Sequence, residues 1–229
     1  IRASNFFLLY FPEHRTTFTL IGVVISNLAF VGALLILANI LKELKFPEHF
    51  TRGTIWVVLL FPLSFFFSSI LTESLLLFLV LAAMWCCLKQ KWLLCAVVAS
   101  LAMVARPLGQ LVVIPIAISY LLQNKGKIQW KEALPFVIVP LTFFGYIWTL
   151  YLISGDWLLI LNIHSAWGHD SSTPWQTLFA IDPVRPILSY LNIFFIIAMI
   201  LLCVYSIWKY PHKEWGIWGI LMIIVPLFL

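Results

Sequence analysis

Two charged side chains stand inside an otherwise apolar stretch of the chain and could do chemistry there. The stretch covers residues 61–109 and holds the carboxylate of Glu73 and the guanidinium of Arg106, with a basic Lys-Gln-Lys break at 89–91 between them. Two apolar helices joined by such a turn form a hairpin, so we expect Glu73 and Arg106 to meet at the end opposite the lysines. An ionisable group at membrane depth costs about 2.5–3.5 kcal/mol on insertion scales and is by default a candidate functional residue with a partner.

Each of these two side chains has a functional and a structural interpretation. Glu73 could act as a general base or bind sugar hydroxyls. It could also be a first-turn acid that the helix dipole stabilises, with Thr72 as the N-cap. Arg106 could bind phosphate oxygens in bidentate fashion, or it could end a helix and extend its charge to the membrane interface.

The composition of the chain indicates its class. Hydrophobic residues make up 63% of the 229 residues and charged residues 10%, against about 25% charged in soluble domains, and the mean hydropathy is +1.04. Apolar runs of about 20 residues recur, which is typical of several transmembrane helices. The sequence lacks the strict alternation of apolar and polar residues that is typical of a transmembrane β-barrel. We therefore predict an all-α polytopic membrane protein.

The apolar runs predict about eight membrane helices in one transmembrane domain covering residues 1–229. Pro62 is expected to kink the second helix, and Pro107 to begin the fifth, where its missing N–H costs nothing. Residues 46–53 are expected to be a polar connection. The chain begins at Ile1 and stops within an apolar run, so we interpret it as a fragment truncated at both ends. The predicted helices are 17–41, 54–70, 72–88, 92–105, 107–122, 133–153, 186–208 and 215–229.

The lysines predict the orientation of the helices in the membrane. The net charge is +5, and all nine lysines fall in breaks between apolar runs. This is the positive-inside pattern, not the basic stripe of a nucleic-acid-binding domain. The lysine face is then cytoplasmic, and Glu73, Arg106 and residues 155–185 lie on the extracytoplasmic face. The lysines are Lys42, Lys45, Lys89, Lys91, Lys125, Lys127, Lys131, Lys209 and Lys213.

Residues 155–185 form the one long polar connection, predicted to be an extracytoplasmic loop with short helices. Connections of this length are uncommon and are usually functional or disordered. Its candidate binding residues are Asp156, His164 and Trp167. Its tryptophans fit either an interfacial belt or a surface that stacks on a sugar ring. Its histidines lack tight metal-ligand spacing, so no metal is predicted.

Other motifs of known chemistry do not occur in the sequence. No phosphate-binding glycine loop and no C-x-x-C pattern is present, so nucleotide cofactors and redox chemistry are not supported. The four cysteines fall within apolar runs and are interpreted as small buried hydrophobic residues, not as disulfide partners or metal ligands.

Four short motifs resemble a known family when taken in order. They are S-N-L-A-F at 26–30, P-L-S-F-F-F-S at 62–68, T-E-S-L at 72–75 and A-R-P-L-G at 105–109. Together they resemble the PIG-V-like mannosyltransferases and their bacterial relatives, which belong to the polytopic GT-C glycosyltransferases. The segment GDWLLILNIHSAWG at 155–168 is similar to a loop of those proteins, and the likeness covers most of residues 1–185.

The resemblance implies a GT-C-like helix bundle and the transfer of a sugar, mannose in this family. The donor would be a polyprenyl-phosphate-linked sugar, and the acceptor a lipid, glycan or protein on the extracytoplasmic face, as in GPI-anchor-like biosynthesis. The membrane would be a bacterial inner or plasma membrane, or the endoplasmic reticulum. Donor-binding residues would be Glu73, Arg106, Asp156, His164 and Trp167. The family's catalytic Asp would lie upstream of Ile1, so no acid present is assigned as catalytic and the fragment alone is expected to be inactive.

Two other classes of function remain open on the sequence. A transporter or flippase of lipid-linked sugars would also place Glu and Arg among helices, but it predicts paired broken helices and a midplane site, and the sequence shows no internal repeat of that kind. A non-catalytic membrane subunit would use the same polar residues for packing.

Overall fold

The computed structural model describes residues 15–60, 64–69, 72–157, 159, 186–209, 216–217 and 219–220. Within these ranges the regular elements are all helical. The chain divides into two compact units, the first ending at Gly109 and the second beginning at Gln110. The helices are α1 (Arg15–Glu43), α2 (Glu48–Leu60), α3 (Phe65–Ser68), α4 (Glu73–Leu88), α5 (Trp92–Ala105), a 3₁₀-helix (Pro107–Val112), α6 (Val113–Gln123), α7 (Trp130–Ala133), a 3₁₀-helix (Leu134–Val137), α8 (Ile138–Ser154) and α9 (Pro186–Lys209).

Three helical segments of the described chain are long and apolar enough to cross a membrane. They are Thr19–Glu43, Trp130–Ser154 and Ser189–Lys209, each longer than the roughly 20 residues that a bilayer requires. The prediction of a helical membrane protein is therefore supported. The eight predicted crossings are not confirmed, because α4 and α5 have only 16 and 14 residues.

The predicted segment boundaries agree with the structure at α1, α4, α5 and α9 and fail around α2. Residues 46–53 were expected to be a polar connection, but α2 already begins at Glu48. The Arg52 Nη2 atom lies 2.8 Å from Glu48 Oε1, an i,i+4 pair that supports a helix in these polar residues. The predicted crossing 54–70 is not confirmed as one helix, since the described residues form α2 up to Leu60, a turn at Ser64 and the four-residue α3. Pro62 lies outside the described residues.

In the first unit, α4 packs between α1 and α5. Small side chains allow the close approach, notably Ala29 and Ala33 on α1 and Ala99 on α5, all buried. A Cβ at Gly32 would lie 2.8 Å from the Phe78 ring. The Phe78 side chain of α4 therefore packs directly against the backbone of α1. Helices in lipid associate through such small-residue packing because burial from lipid gives little hydrophobic gain.

One contact ties the end of α1 to the end of α4, and a second ties α1 to α3, which precedes α4 in the chain. Lys89 Nζ lies 2.6 Å from Glu43 Oε2 at one end, and Asn27 Nδ2 donates to the Ser68 carbonyl at 3.4 Å near the other. Helices α1 and α4 are therefore parallel, and the lysine breaks at 42–45 and 89–91 share one end of this unit, as the positive-inside pattern requires.

In the second unit, the turn after α6 folds back on that helix. The Gln129 N–H donates to the Tyr120 hydroxyl at 2.9 Å, and Asn124 Nδ2 donates to Glu132 Oε2 at 3.2 Å. The predicted helix 133–153 begins earlier, at Trp130, and passes through a 3₁₀ segment that contains Pro135. It ends at Ser154, and the following Gly155 has a φ of 74°, the left-handed conformation that closes many helices.

Candidate functional site

The ion pair between Glu73 and Arg106 forms the centre of the candidate site. Arg106 Nη1 lies 2.5 Å from Glu73 Oε1. Glu73 is the first residue of α4, and Arg106 directly follows α5. The prediction that the hairpin returns these two side chains to the same end is confirmed, since Lys89 lies at the opposite end of α4.

The A-R-P-L-G sequence determines how Arg106 is presented. A residue before proline is restricted to extended conformations, and Arg106 has φ −159° and ψ 135°. Its N–H donates to the Ala102 carbonyl at 3.2 Å, and the Gly109 N–H donates to the Arg106 carbonyl at 2.8 Å. A Cβ at Gly109 would lie 2.1 Å from the Ala102 oxygen, so only glycine fits this turn.

On the other side of the pair, Ser74 holds the start of α4 in place. Its side chain is fully buried, and its hydroxyl donates to the Phe67 carbonyl at 2.5 Å. Thr72 occupies the N-cap position, but its side chain makes no capping hydrogen bond. Sequence reasoning missed Ser74, although a serine next to Glu73 in an apolar run was the available signal.

The motifs that carried the family resemblance meet in the structure. Phe30 of S-N-L-A-F stacks on Phe67 with ring centroids 5.0 Å apart, and Ser74 of T-E-S-L bonds to the same Phe67. Glu73 then joins T-E-S-L to A-R-P-L-G through Arg106. Three regions that are distant in sequence, 26–30, 62–75 and 105–109, are thus linked by direct contacts.

The ion pair leaves hydrogen-bonding capacity unused. Glu73 Oε2 is buried and has no hydrogen-bond partner among the described residues. Of the five N–H groups of an arginine, Arg106 gives one to Glu73 within the described chain. The side chains of Glu73 and Arg106 keep 29% and 42% of their surface exposed. A buried acceptor without a donor costs roughly 1–3 kcal/mol, so the site has the chemistry to accept a ligand hydroxyl.

Helix α1 extends beyond the level of the ion pair. Glu73 lies 16 residues before Lys89 and Asn27 lies 16 residues before Glu43, so the contact of Lys89 with Glu43 places Glu73 level with Asn27. Residues 15–26 of α1 therefore extend about 18 Å further. The α4 helix is about 24 Å long, against roughly 30 Å for a hydrocarbon core.

Of the remaining predicted site residues, the structure describes Asp156. Asp156 belongs to the second unit, directly after Gly155, and its N–H donates to the Ser154 hydroxyl at 3.1 Å. His164 and Trp167 lie outside the described residues. In the part of the chain that the structure describes, no group of three metal-ligating side chains occurs.

An aromatic cluster beside Asp156 was not predicted. The Tyr151 and Trp157 rings stack with centroids 4.0 Å apart, and Trp148 lies 5.6 Å from Trp157. About half the surface of Trp148 and of Trp157 is exposed. The i,i+3 spacing of Trp148 and Tyr151 on α8 was the signal in the sequence.

Comparisons of the chain with models of protein families, with curated proteins and with solved structures find no match. The function is therefore argued from the geometry of the Glu73–Arg106 cluster.

Proposed function

We propose that the protein is an integral membrane glycosyltransferase that moves a sugar from a polyprenyl-phosphate-linked donor to an extracytoplasmic acceptor. The observation that carries the proposal is the ion pair of Glu73 and Arg106, held at one end of a hairpin of two short apolar helices. A lipid-linked phosphosugar has the matching chemistry, because its chain is apolar and its phosphate and sugar lie at the membrane interface.

Arg106 is assigned to the donor phosphate. A guanidinium matches phosphate oxygens in bidentate geometry, and Glu73 occupies only one of its N–H groups within the described chain. The phosphate leaves as a stable anion, so it needs electrostatic stabilisation more than protonation. Arg106 supplies a fixed positive charge for this purpose.

Glu73 is assigned to orientation and to sugar binding. Its Oε1 atom holds Arg106, while its buried Oε2 lacks a donor in the described structure. A sugar hydroxyl donating to Oε2 would satisfy that oxygen. Glu73 is not assigned as the base that activates the acceptor, because its charge already pairs with Arg106. The family resemblance assigns that base to an aspartate, and none of the acids in this chain is matched to it.

The resemblance to PIG-V-like mannosyltransferases supports mannose as the sugar. The structural support is a series of contacts between its motifs. Phe30 stacks on Phe67, the Ser74 hydroxyl donates to the Phe67 carbonyl, and Glu73 pairs with Arg106.

The test is sugar transfer by the full-length gene product in membranes, with polyprenyl-phosphate mannose as donor. We expect Arg106→Ala to abolish transfer while the protein still inserts and stays monodisperse in detergent. Arg52→Ala is the matched control, because Arg52 also pairs with a glutamate, Glu48, at 2.8 Å but is about three-quarters exposed. Transfer retained in Arg106→Ala would refute the assignment of Arg106.

A structural role of the ion pair is the second candidate, favoured by the direct bond between Arg106 and Glu73. The exchanged variant Glu73→Arg with Arg106→Glu separates the two roles, since it can rebuild a salt bridge but inverts the charge at each position. The glycosyltransferase proposal expects this variant to fold without transferring sugar. Full activity of the exchanged variant would assign the pair to packing alone.

A further inference from the structure

The second unit contains an apolar groove beside a cluster of lysines. The groove has a volume of about 250 Å³. One wall is α6 and the other is the segment from Ile128 to Phe136. Its lining residues are Val113, Ala117, Tyr120, Leu121, Ile128, Ala133 and Phe136. A groove of this size and chemistry suits part of one hydrocarbon chain.

Internal hydrogen bonds hold the two walls of the groove together. The Tyr120 hydroxyl accepts from the Gln129 N–H at 2.9 Å and donates to the Gln129 carbonyl at 3.2 Å. Asn124 also binds Glu132 across the turn. The groove is therefore preformed by the fold and does not depend on a ligand for its shape.

The chain next to the second wall is positively charged. Lys125 and Lys127 lie in the turn between α6 and the second wall, Lys131 lies on that wall, and all three are exposed. Glu132 is the single acid on residues 124–136, and it accepts from Asn124. Trp130, on the same segment, is 80% exposed, as is common for a tryptophan at a membrane interface.

We infer that this groove is a binding site for an anionic phospholipid of the cytoplasmic leaflet. Charge complementarity selects the occupant, because the lysines match a phosphate headgroup and the apolar walls match the acyl chain below it. Basic pockets of this kind at the cytoplasmic side of helix bundles attract anionic headgroups. The inference is independent of the proposed sugar transfer, since it uses none of the residues around Glu73 and Arg106.

The test is native mass spectrometry of the detergent-purified chain titrated with phosphatidylglycerol or phosphatidylcholine. We expect one phosphatidylglycerol to be retained in preference to phosphatidylcholine. Changing Lys125, Lys127 and Lys131 to Gln should weaken that binding at least about tenfold. The matched control changes Lys42, Lys45 and Lys91 to Gln, which removes the same charge from the lysine end of the first unit and should leave binding unchanged.

A second variant tests the apolar part of the site. Ala117 lines the groove and is exposed, so Ala117→Phe should fill the groove, preserve the fold and all lysines, and release the lipid. A photoactivatable phosphatidylglycerol should label residues 113–136 in the unchanged chain and lose that label in Ala117→Phe. Equal retention of both lipids, an equal loss in the lysine control, or a dimer that Ala117→Phe dissociates would overturn the inference.

Discussion

Gly109 offers the sharpest perturbation of the site, because its lack of a side chain sets the turn that carries Arg106. An alanine Cβ at this position would lie 2.1 Å from the Ala102 oxygen, whereas ordinary contacts begin at 3.4 Å. The turn must therefore open by about 1.3 Å, and the obstacle is a helix backbone that cannot rotate away. The same Ala102 oxygen accepts the Arg106 N–H at 3.2 Å, so the displacement acts directly on the residue that carries the guanidinium.

Overpacking of this kind typically costs about 1–3 kcal/mol, and a displacement of about 1 Å at a reacting centre can lower a rate by about 100-fold. We expect Gly109→Ala to lower both the thermal stability of the detergent-solubilised protein and its sugar transfer. Gly145→Ala is the matched control, because no atom lies within 4 Å of its Cβ position. In a helix interior that control should be neutral or stabilising by about 0.5–1 kcal/mol. Equal stability and equal activity of the two variants would refute the proposed geometry of the turn.

Three further predictions address the ion pair, the packing of α1 and the orientation of the hairpin. A double-mutant cycle of Glu73→Ala and Arg106→Ala should give a coupling of about 1 kcal/mol in stability, between the values for exposed and buried pairs; additive losses would contradict the ion pair. Gly32→Leu should separate α1 from α4 and lower the apparent melting temperature, whereas Gly53→Leu, with nothing near its Cβ position, should change it little; the reverse order would be inconsistent with the packing. In the variants Lys89→Cys and Arg106→Cys, the introduced thiols should react with a membrane-impermeant reagent added to opposite faces of the membrane. Reaction of both thiols from the same face would contradict the predicted orientation of the hairpin.

The limits of prediction from the sequence are clearest at α2. Its first five residues include Glu48, His49 and Arg52, and the polarity of this region led to the prediction of a connection. The structure instead forms a helix there, supported by the Arg52–Glu48 pair. Local polarity does not distinguish an exposed helical turn from a loop, because polar side chains are solvated at the surface in both.

The sequence by itself determined the helical membrane class, the hairpin of α4 and α5, and the meeting of Glu73 with Arg106. These features follow from constraints that can be read along the chain. Apolar runs must be helical in lipid, and two helices joined by a short basic turn bring their outer ends to the same side. Only the tertiary structure decided the roles of Ser74 and Gly109 and the groove beside α6. Each of these depends on the register between segments distant in sequence, which is set by side-chain packing and by close backbone approach and leaves no periodic signal in the chain.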